Sequence, residues 1–453
     1  MMRMKLDEAA SLLDARLWTS HPDAGLREFV GMIHDSRRIE PGMLFAALPG
    51  RQVDGHAFLA DARARGAAAA LVRRRDTVVD LPQIEVADVV RAMGMLARAW
   101  RERNAARVVG ITGSNGKTTV KNLLGEILGG CASTLVTEGN YNNEIGVPLT
   151  LAKLDSSHRY AVLEMGAGQP GDIAYLAGLV RPDVAVVTNA GPAHLERLGS
   201  IEGVARTKGE LYAALGPEGV AVINADDEYA GYWRSLCEGR RQILFGRDRQ
   251  ADVRLVQTEA GACVQTPEGA FDLRLRLPGL HNQLNALAAT AVALALGIDL
   301  GHIAEGLSRV RPAPGRLNTI AMPGGWTLID DSYNANPASM SAALQVLAGY
   351  TGNRVLVLGA MAELGAGAEG WHAEVGRQAR ALGIDRLLAV GPLAAHAAEA
   401  FGTGGEVLAD VDAAARVIEE LIAPGMVCLV KGSRSAGMER VVERLGSRRA
   451  ASC

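Results

Sequence analysis

A lysine and two hydroxyl residues set behind a series of glycines form the part of this chain best suited to hold a polyphosphate. The run Val108-Val109-Gly110-Ile111-Thr112-Gly113-Ser114-Asn115-Gly116-Lys117-Thr118-Thr119 opens with β-branched residues, as a buried parallel strand does. It turns through glycine into a stretch at 120–128 with helical patterning. Such a loop faces its amide hydrogens inward, and the helix start adds unpaired N–H groups and a favourable dipole. Gly113, Ser114, Asn115, Gly116, Lys117, Thr118 and Thr119 are therefore expected to cradle the phosphates of ATP. Lys117 would reach the terminal phosphate, and the Thr118 hydroxyl would ligate Mg²⁺. The common spacing of this loop wants a glycine where the chain has Ile111, with Gly110 one place earlier.

Further polar residues stand where apolar runs end. Glu164 closes Tyr160-Ala161-Val162-Leu163 and suits Mg²⁺, bound directly or through water, although a solvated strand terminus reads the same way. His194, just past another such run, could complete the surroundings of a second metal as a neutral imidazole, with a plain structural histidine as the alternative. Asn142 and Asn143, with Glu144, make a polar turn that could meet phosphate or metal; turn propensity accounts for them equally well. Asn282 and Asn285 share one helical face and could read a base or ribose, or simply cap the helix. Arg316, after Pro312-Ala313-Pro314-Gly315, suits a phosphate approached from the far side. The segment Asp330-Asp331-Ser332-Tyr333-Asn334-Ala335-Asn336-Pro337 carries more polarity than a turn requires. Lys431, in Lys431-Gly432-Ser433-Arg434, could hold a carboxylate or phosphate, with a solvated basic loop as the alternative. Lys208 alone reads as an ordinary helix lysine. No serine–histidine–acid set has comparable spacing, and Ser36 lacks the surroundings of a nucleophile elbow.

These residues need elements to hold them. Strands are expected at 108–112, 160–164, 184–188 and 220–224 with helical stretches between, which is parallel β-α-β construction with ligands at the strands' carboxyl ends. Past 311 the pattern restarts, with strands at 326–330, 354–358, 386–390, 406–409 and 427–430 and helices at 371–382 and 412–422. Before 86, strands at 43–48 and 68–72 flank an alanine-rich helix in a small α/β unit, joined onward by a helix at 88–101. The expected fold is α/β in three domains, 1–85, 86–311 and 312–453, the central one a P-loop parallel sheet. With 48% hydrophobic residues and a formal net charge of -3, the chain is globular and lacks the basic block of a nucleic-acid surface. Its five cysteines (Cys131, Cys237, Cys263, Cys428, Cys453) are scattered without a C-x-x-C pair, as reduced cytoplasmic thiols are. No apolar stretch suggests secretion or a membrane span. Among 47 basic residues lysine is scarce, which makes Lys117, Lys208 and Lys431 stand out.

Taken in order, the segments resemble the ATP-dependent Mur ligase family. The resemblance starts at Asp35-Ser36-Arg37 with Asp54-Gly55-His56 and runs through the phosphate loop and Gly139-Asn140-Tyr141-Asn142-Asn143-Glu144-Ile145-Gly146-Val147-Pro148. It continues over Glu164-Met165-Gly166, 189–196, 281–285 and 330–337, and ends on Leu358-Gly359-Ala360-Met361-Ala362-Glu363-Leu364-Gly365 and Lys431-Gly432-Ser433-Arg434. Members that add the third peptide residue typically have Tyr-Ala-His-x-Pro where this chain has Tyr333-Asn334-Ala335-Asn336-Pro337. They carry Lys-Gly-His-Glu where it has Lys431-Gly432-Ser433-Arg434. The resemblance therefore implies the members that join D-alanyl-D-alanine to UDP-N-acetylmuramoyl-tripeptide, with ATP and Mg²⁺, through an acyl phosphate. It implies a small N-terminal uridine-nucleotide-binding domain, a central ATPase domain, and a C-terminal Rossmann-like domain that shares in binding ATP and dipeptide. Lys117, His194 and Lys208 would be catalytic, and Thr118, Glu164, His194 and Lys208 would serve metal ions. Relatives carbamylate the lysine corresponding to Lys208. Asn282, Asn285, Arg316 and Asp331 would contact nucleotide; Ser36, Arg37, Asn142, Asn143, Asn334, Asn336 and Lys431 would contact substrate. A cytoplasmic monomer is expected, with the part after 311 rotating onto the centre. The third residue of the tripeptide, meso-diaminopimelate or lysine, is written in none of these segments. A family member with another amine substrate, or a nucleotide switch without catalysis, are the rival readings.

Overall fold

The computed structural model describes residues 1–50, 53–259 and 261–451. Cys453 lies outside the described residues; Cys131, Cys237, Cys263 and Cys428 are free thiols, as expected. Three α/β units follow one another along the chain. No helix among the described residues is long and apolar enough to cross a membrane.

The central unit is a nine-stranded sheet. From one edge its strands are Gly269–Asp272, Gly261–Thr266, Val253–Thr258, Arg241–Gly246, Val220–Asn224, Val184–Val187, Arg107–Thr112, Tyr160–Glu164 and Thr134–Val136. Alternation along the strands divides the core. Val109 and Ile111 face one side with Val186 and Val222, while Val108, Ala185 and Ala221 face the other. Each side is covered by helices, so both faces are apolar and the strands read as near-continuous hydrophobic runs. Lys117–Gly129 and Leu280–Ala295 cover the first face, Asp172–Val180 and Ile201–Ala213 the second. The alanine-rich Leu280–Ala295 is buried over most of its circumference, and its small side chains let the phosphate-loop helix approach closely.

The expected strands are all present, but the all-parallel expectation needs correction. Pairing is parallel up to Val253–Thr258, after which Gly261–Thr266 and Gly269–Asp272 add antiparallel. These last strands bury only one face, the arrangement an antiparallel ribbon tolerates and a parallel one does not.

The C-terminal sheet has six strands, in the order Asn318–Met322, Trp326–Asp331, Val427–Lys431, Arg354–Leu358, Arg386–Val390 and Gly405–Leu408. All pair in parallel except the first. Asn336 opens its helix Pro337–Ala348 with a full capping box and proline at the first turn. The N-terminal unit holds a five-stranded sheet (Arg16–Trp18, Gln83–Glu85, Ala69–Val72, Leu44–Ala46, Met32–Ile33) and a pair, Arg3–Lys5 with Glu28–Val30. Helix Val89–Glu102, capped by the Asp88 carboxylate, leads from it to the centre.

One stretch of chain, 310–317, connects the central and C-terminal sheets. The Gly315 N–H donates to Asp330 Oδ2 at 3.1 Å and the Leu317 N–H to Asp331 Oδ1 at 3.1 Å. Those two carboxylates hold the connection, including Leu317 at φ 47°, against the second sheet.

Candidate active site

The phosphate loop is held open by its neighbours. The Ser114 N–H donates to the Asn189 carbonyl at 3.0 Å, and the Asn115 N–H to Asn189 Oδ1 at 3.1 Å. The Thr188 hydroxyl donates to the Asn115 carbonyl at 2.5 Å. Gly116 caps the helix at φ +82°, and a Cβ there would run into the Asn285 side-chain oxygen. Alanine at Gly116 would carry a left-handed strain of about 1–2 kcal/mol on top of that clash. We expect Gly116→Ala to weaken ADP binding at least tenfold by titration calorimetry, and an unchanged affinity would remove the loop from the nucleotide site.

Behind the loop, Glu164 ends its strand almost wholly buried, 3% exposed. Its Oε2 accepts from the Thr118 hydroxyl at 3.0 Å and its Oε1 from Asn142 Nδ2 at 2.8 Å. Lys121 Nζ stands 3.7 Å from Oε2 and donates to the Gly139 carbonyl at 3.1 Å. A buried carboxylate needs this compensation, and two hydrogen-bond donors with a nearby ammonium supply it. Lys117 Nζ donates to the Gly113 carbonyl at 2.6 Å. Burial lowers its pKa, Glu164 opposes that, and Arg316 adds to it. The adjacent Thr118 and Glu164 oxygens suit Mg²⁺, which keeps waters and phosphate oxygens and takes only one or two protein ligands. No cluster of three or more His, Cys, Asp or Glu able to hold a metal occurs among the described residues.

His194 lines the same cleft in a left-handed conformation, φ 54°. Its Nδ1 lies 2.5 Å from Oε2 of Glu363, which belongs to the other sheet. Burial lowers the imidazole pKa; Glu363 raises it, and Lys208 and Lys117 push it down again. Lys208 is buried in helix Ile201–Ala213 and is not among the residues lining the cleft, with no ion pair or hydrogen bond from its ammonium among the described residues. Burial, with the nearby positive charge of Lys117, brings its pKa down to about 7.

The C-terminal sheet closes the other side. Arg316 Nη2 donates to Thr118 Oγ1 at 3.1 Å while its guanidinium stacks over Tyr333. Asn336 Nδ2 donates to Asn115 Oδ1 at 2.9 Å, directly bridging the two sheets. Lys431 Nζ donates to Asp331 Oδ2 at 2.6 Å and to the Asn334 carbonyl at 2.9 Å. Burial raises the Asp331 pKa, with Lys431 opposing. On the central side Asn285 Nδ2 donates to Asn282 Oδ1 at 3.2 Å, so the two amides do share a face. Beside them burial lowers His281 to a pKa of about 4, with Lys431 adding to the effect. The cleft between the sheets has a volume of about 930 Å³.

The structure thus gathers Ser114–Thr119, Asn142, Asn143, Glu164, His194, Asn282, Asn285, Arg316, Asp331, Asn334, Asn336 and Lys431 around one space. Ser36 and Arg37 are not among the lining residues; they begin a short turn of the N-terminal unit, where Arg37 pairs with Asp35 at 2.8 Å. Sequence reasoning passed over Lys121 and Glu363. Lys121 was discoverable, being four residues after Lys117 on one helix and among few lysines. Glu363 falls in the Leu358–Gly365 segment, but nothing there points to its partner, which lies in another sheet.

A cleft of this build is that of a nucleotide-dependent enzyme working between two α/β sheets. The Mur ligase middle domain matches residues 111–293, the Mur ligase glutamate ligase domain 315–434, and the Mur ligase family catalytic domain 28–101. The UDP-N-acetylmuramoyl-tripeptide--D-alanyl-D-alanine ligase of Escherichia coli K12 is 45% identical over 91% of this chain and 92% of that one. A crystal structure of MurF from Acinetobacter baumannii superposes with a TM-score of 0.91 at 37% identity, covering 98% of this chain and 99% of the other. MurF ligase of Thermotoga maritima, crystallised in complex with ADP, gives 0.83 at 29% identity over 94% and 99%. The chain belongs to the Mur ligase family, whose members typically use ATP and Mg²⁺.

Proposed function

We infer that the chain joins D-alanyl-D-alanine to the terminal carboxylate of UDP-N-acetylmuramoyl-tripeptide, converting ATP to ADP and phosphate, in the cytoplasmic phase of peptidoglycan synthesis. Relatives bearing that activity in their names match nine-tenths of the chain. The observation that carries the reading is the meeting of the phosphate loop and Glu164 with Arg316 of the connection and Asp331 and Lys431 of the second sheet across one cleft.

The chemistry follows from the reluctance of a carboxylate to accept a nucleophile at neutral pH. The acceptor carboxylate attacks the γ-phosphorus of ATP, the bond to ADP breaks, and an acyl phosphate forms. The dipeptide amine then attacks its carbonyl carbon, loses a proton, and phosphate leaves from the tetrahedral intermediate. Lys117 and the loop N–H groups offset charge on the moving phosphoryl group, and Arg316 completes that pocket from the other sheet. Asn282, Asn285 and Asp331 orient the nucleotide. Thr118 and Glu164 would hold the nucleotide's Mg²⁺, and His194 and Lys208 would serve a second ion; such ions would neutralise phosphate oxygens. Lys208, with a pKa of about 7, is half unprotonated near neutrality, the form that takes up CO₂ as a carbamate. In this reading 1–85 receives the uridine nucleotide through Ser36 and Arg37, 86–311 binds ATP, and 312–453 shares ATP and takes the dipeptide. Asn142, Asn143, Asn334, Asn336 and Lys431 then line the peptide path. Covering the cleft from both sides keeps water from the acyl phosphate.

Incubation with ATP, Mg²⁺, D-alanyl-D-alanine and either UDP-tripeptide, read by mass, is expected to give a pentapeptide with one ADP and one phosphate per product. The pair of acceptors reads out whether the third residue is meso-diaminopimelate or lysine. Coupling without ATP cleavage, or preference for another amine in a panel of amino acids, would overturn the assignment.

A further inference from the structure

We propose that Glu363, on the loop after strand Arg354–Leu358 of the C-terminal sheet, is a positioning residue for His194 of the central sheet, fixing which ring nitrogen carries the proton. The proposal rests on the reading of the cleft given above, in which His194 serves the reaction.

The contact is 2.5 Å from His194 Nδ1 to Glu363 Oε2. An ionised carboxylate oxygen only accepts, so a ring nitrogen this close must present its N–H; otherwise two lone pairs would face each other. Nδ1 therefore carries the proton, and in the neutral ring, the form burial favours, Nε2 keeps the lone pair an imidazole needs to ligate a cation. A carboxylate behind an imidazole is a general way of setting tautomer and ring orientation. In this chain the carboxylate and the imidazole come from different sheets, so the orientation is complete only when the sheets meet.

Several features separate this contact from a chance surface ion pair. Both residues hold left-handed backbone, His194 at φ 54° and Glu363 at φ 62°, a conformation that persists only where the surroundings impose it. The Glu196 N–H also donates to the Glu363 carbonyl at 3.4 Å, so backbone as well as side chain crosses the joint. The loop itself is tied down from below. His372, wholly buried, must donate from Nδ1 to the Ala368 carbonyl at 2.7 Å, leaving Nε2 to accept the Met361 N–H at 2.9 Å. The Ala362 N–H donates to Ser433 Oγ at 2.8 Å, and the Ser433 N–H returns a bond to the Ala360 carbonyl at 2.9 Å. Helix Ala368–Ala381 and the end of strand Val427–Lys431 thus fix the three residues ahead of Glu363. The Glu363 side chain is half exposed, where an ion pair adds little stability. Orientation is what remains for it to supply.

The test uses the full-length enzyme labelled with ¹⁵N-histidine, the His194 signal being assigned by its loss in His194→Gln. In the wild type we expect the Nδ1-protonated tautomer. Glu363→Ala should shift that signal toward a tautomer mixture and lower kcat at least tenfold, with KM for ATP unchanged. Glu363→Gln, whose amide oxygen still accepts from Nδ1–H, should keep the tautomer and most of the turnover. An unmoved signal in Glu363→Ala, or a glutamine variant as impaired as the alanine one, overturns the proposal. So does a raised KM for D-alanyl-D-alanine with the tautomer intact, which would place the carboxylate on the substrate amine. Undiminished turnover in His194→Gln would instead remove the cleft reading itself, whatever the spectrum shows.

Discussion

Replacing Lys117 by alanine is expected to lower ATP-dependent ligation by about 10³-fold while leaving the fold intact. The size follows from removing a preorganised positive charge aimed at a moving phosphoryl group in a partly water-excluded cleft, where single donors are worth 10²–10³ in rate. Tolerance of the change follows from what the side chain does otherwise: its ammonium makes one hydrogen bond, to the Gly113 carbonyl in its own loop. Its charge lies close enough to Lys208 and His194 to depress both pKa values, so its loss relieves repulsion. Phosphate release and thermal unfolding, measured on one preparation, check both halves. Turnover within tenfold of wild type would exclude the phosphate role.

The second large effect runs in opposite directions for stability and activity. Lys208→Met is expected to abolish most ligation and yet to raise the melting temperature by several degrees at pH 7 in CO₂-free buffer. The buried ammonium has a pKa of about 7 against an ordinary 10.5, so below pH 7 folding holds a proton in a place that disfavours it. Over the window from about 7 to 10.5 the unfolded chain binds more protons than the folded one, and stability rises with pH. The cost is therefore full below pH 7, of the order of a few kcal/mol, and fades toward pH 10. The advantage of methionine, which fills similar volume without charge, must fade over the same window. Equal melting temperatures for the two proteins at pH 7 would show that the ammonium is compensated in the fold.

Much of this was legible in the sequence, for reasons that differ between elements. Strands Arg354–Leu358 and Arg386–Val390 fall on the expected residues because both faces are buried and the apolar run ends sharply. Thr134–Val136 escaped notice because three residues at a sheet edge carry no periodicity. The Val253–Thr258 and Gly261–Thr266 ribbon, with small and polar residues on its open face, does not resemble the runs beside it. In the site, Lys117, Thr118 and Glu164 were readable because loop spacing and strand end are local properties. Asn336 was read as a polar excess, and the structure makes it both a helix cap and a bridge to Asn115. The Lys121–Glu164 and His194–Glu363 contacts are tertiary and left no pattern along the chain.

If the cleft holds nucleotide as proposed, the connection at 310–317 gives release of the spent nucleotide a mechanical character. Arg316 rides on the stretch of chain that joins the two sheets, pinned to the second by Asp330 and Asp331, while its guanidinium reaches the Thr118 hydroxyl on the first. The distance of that cation from the phosphates is therefore set by the angle between the sheets. Any swing wide enough to let ADP depart also withdraws a counter-charge from it, so exit and loosening become a single motion.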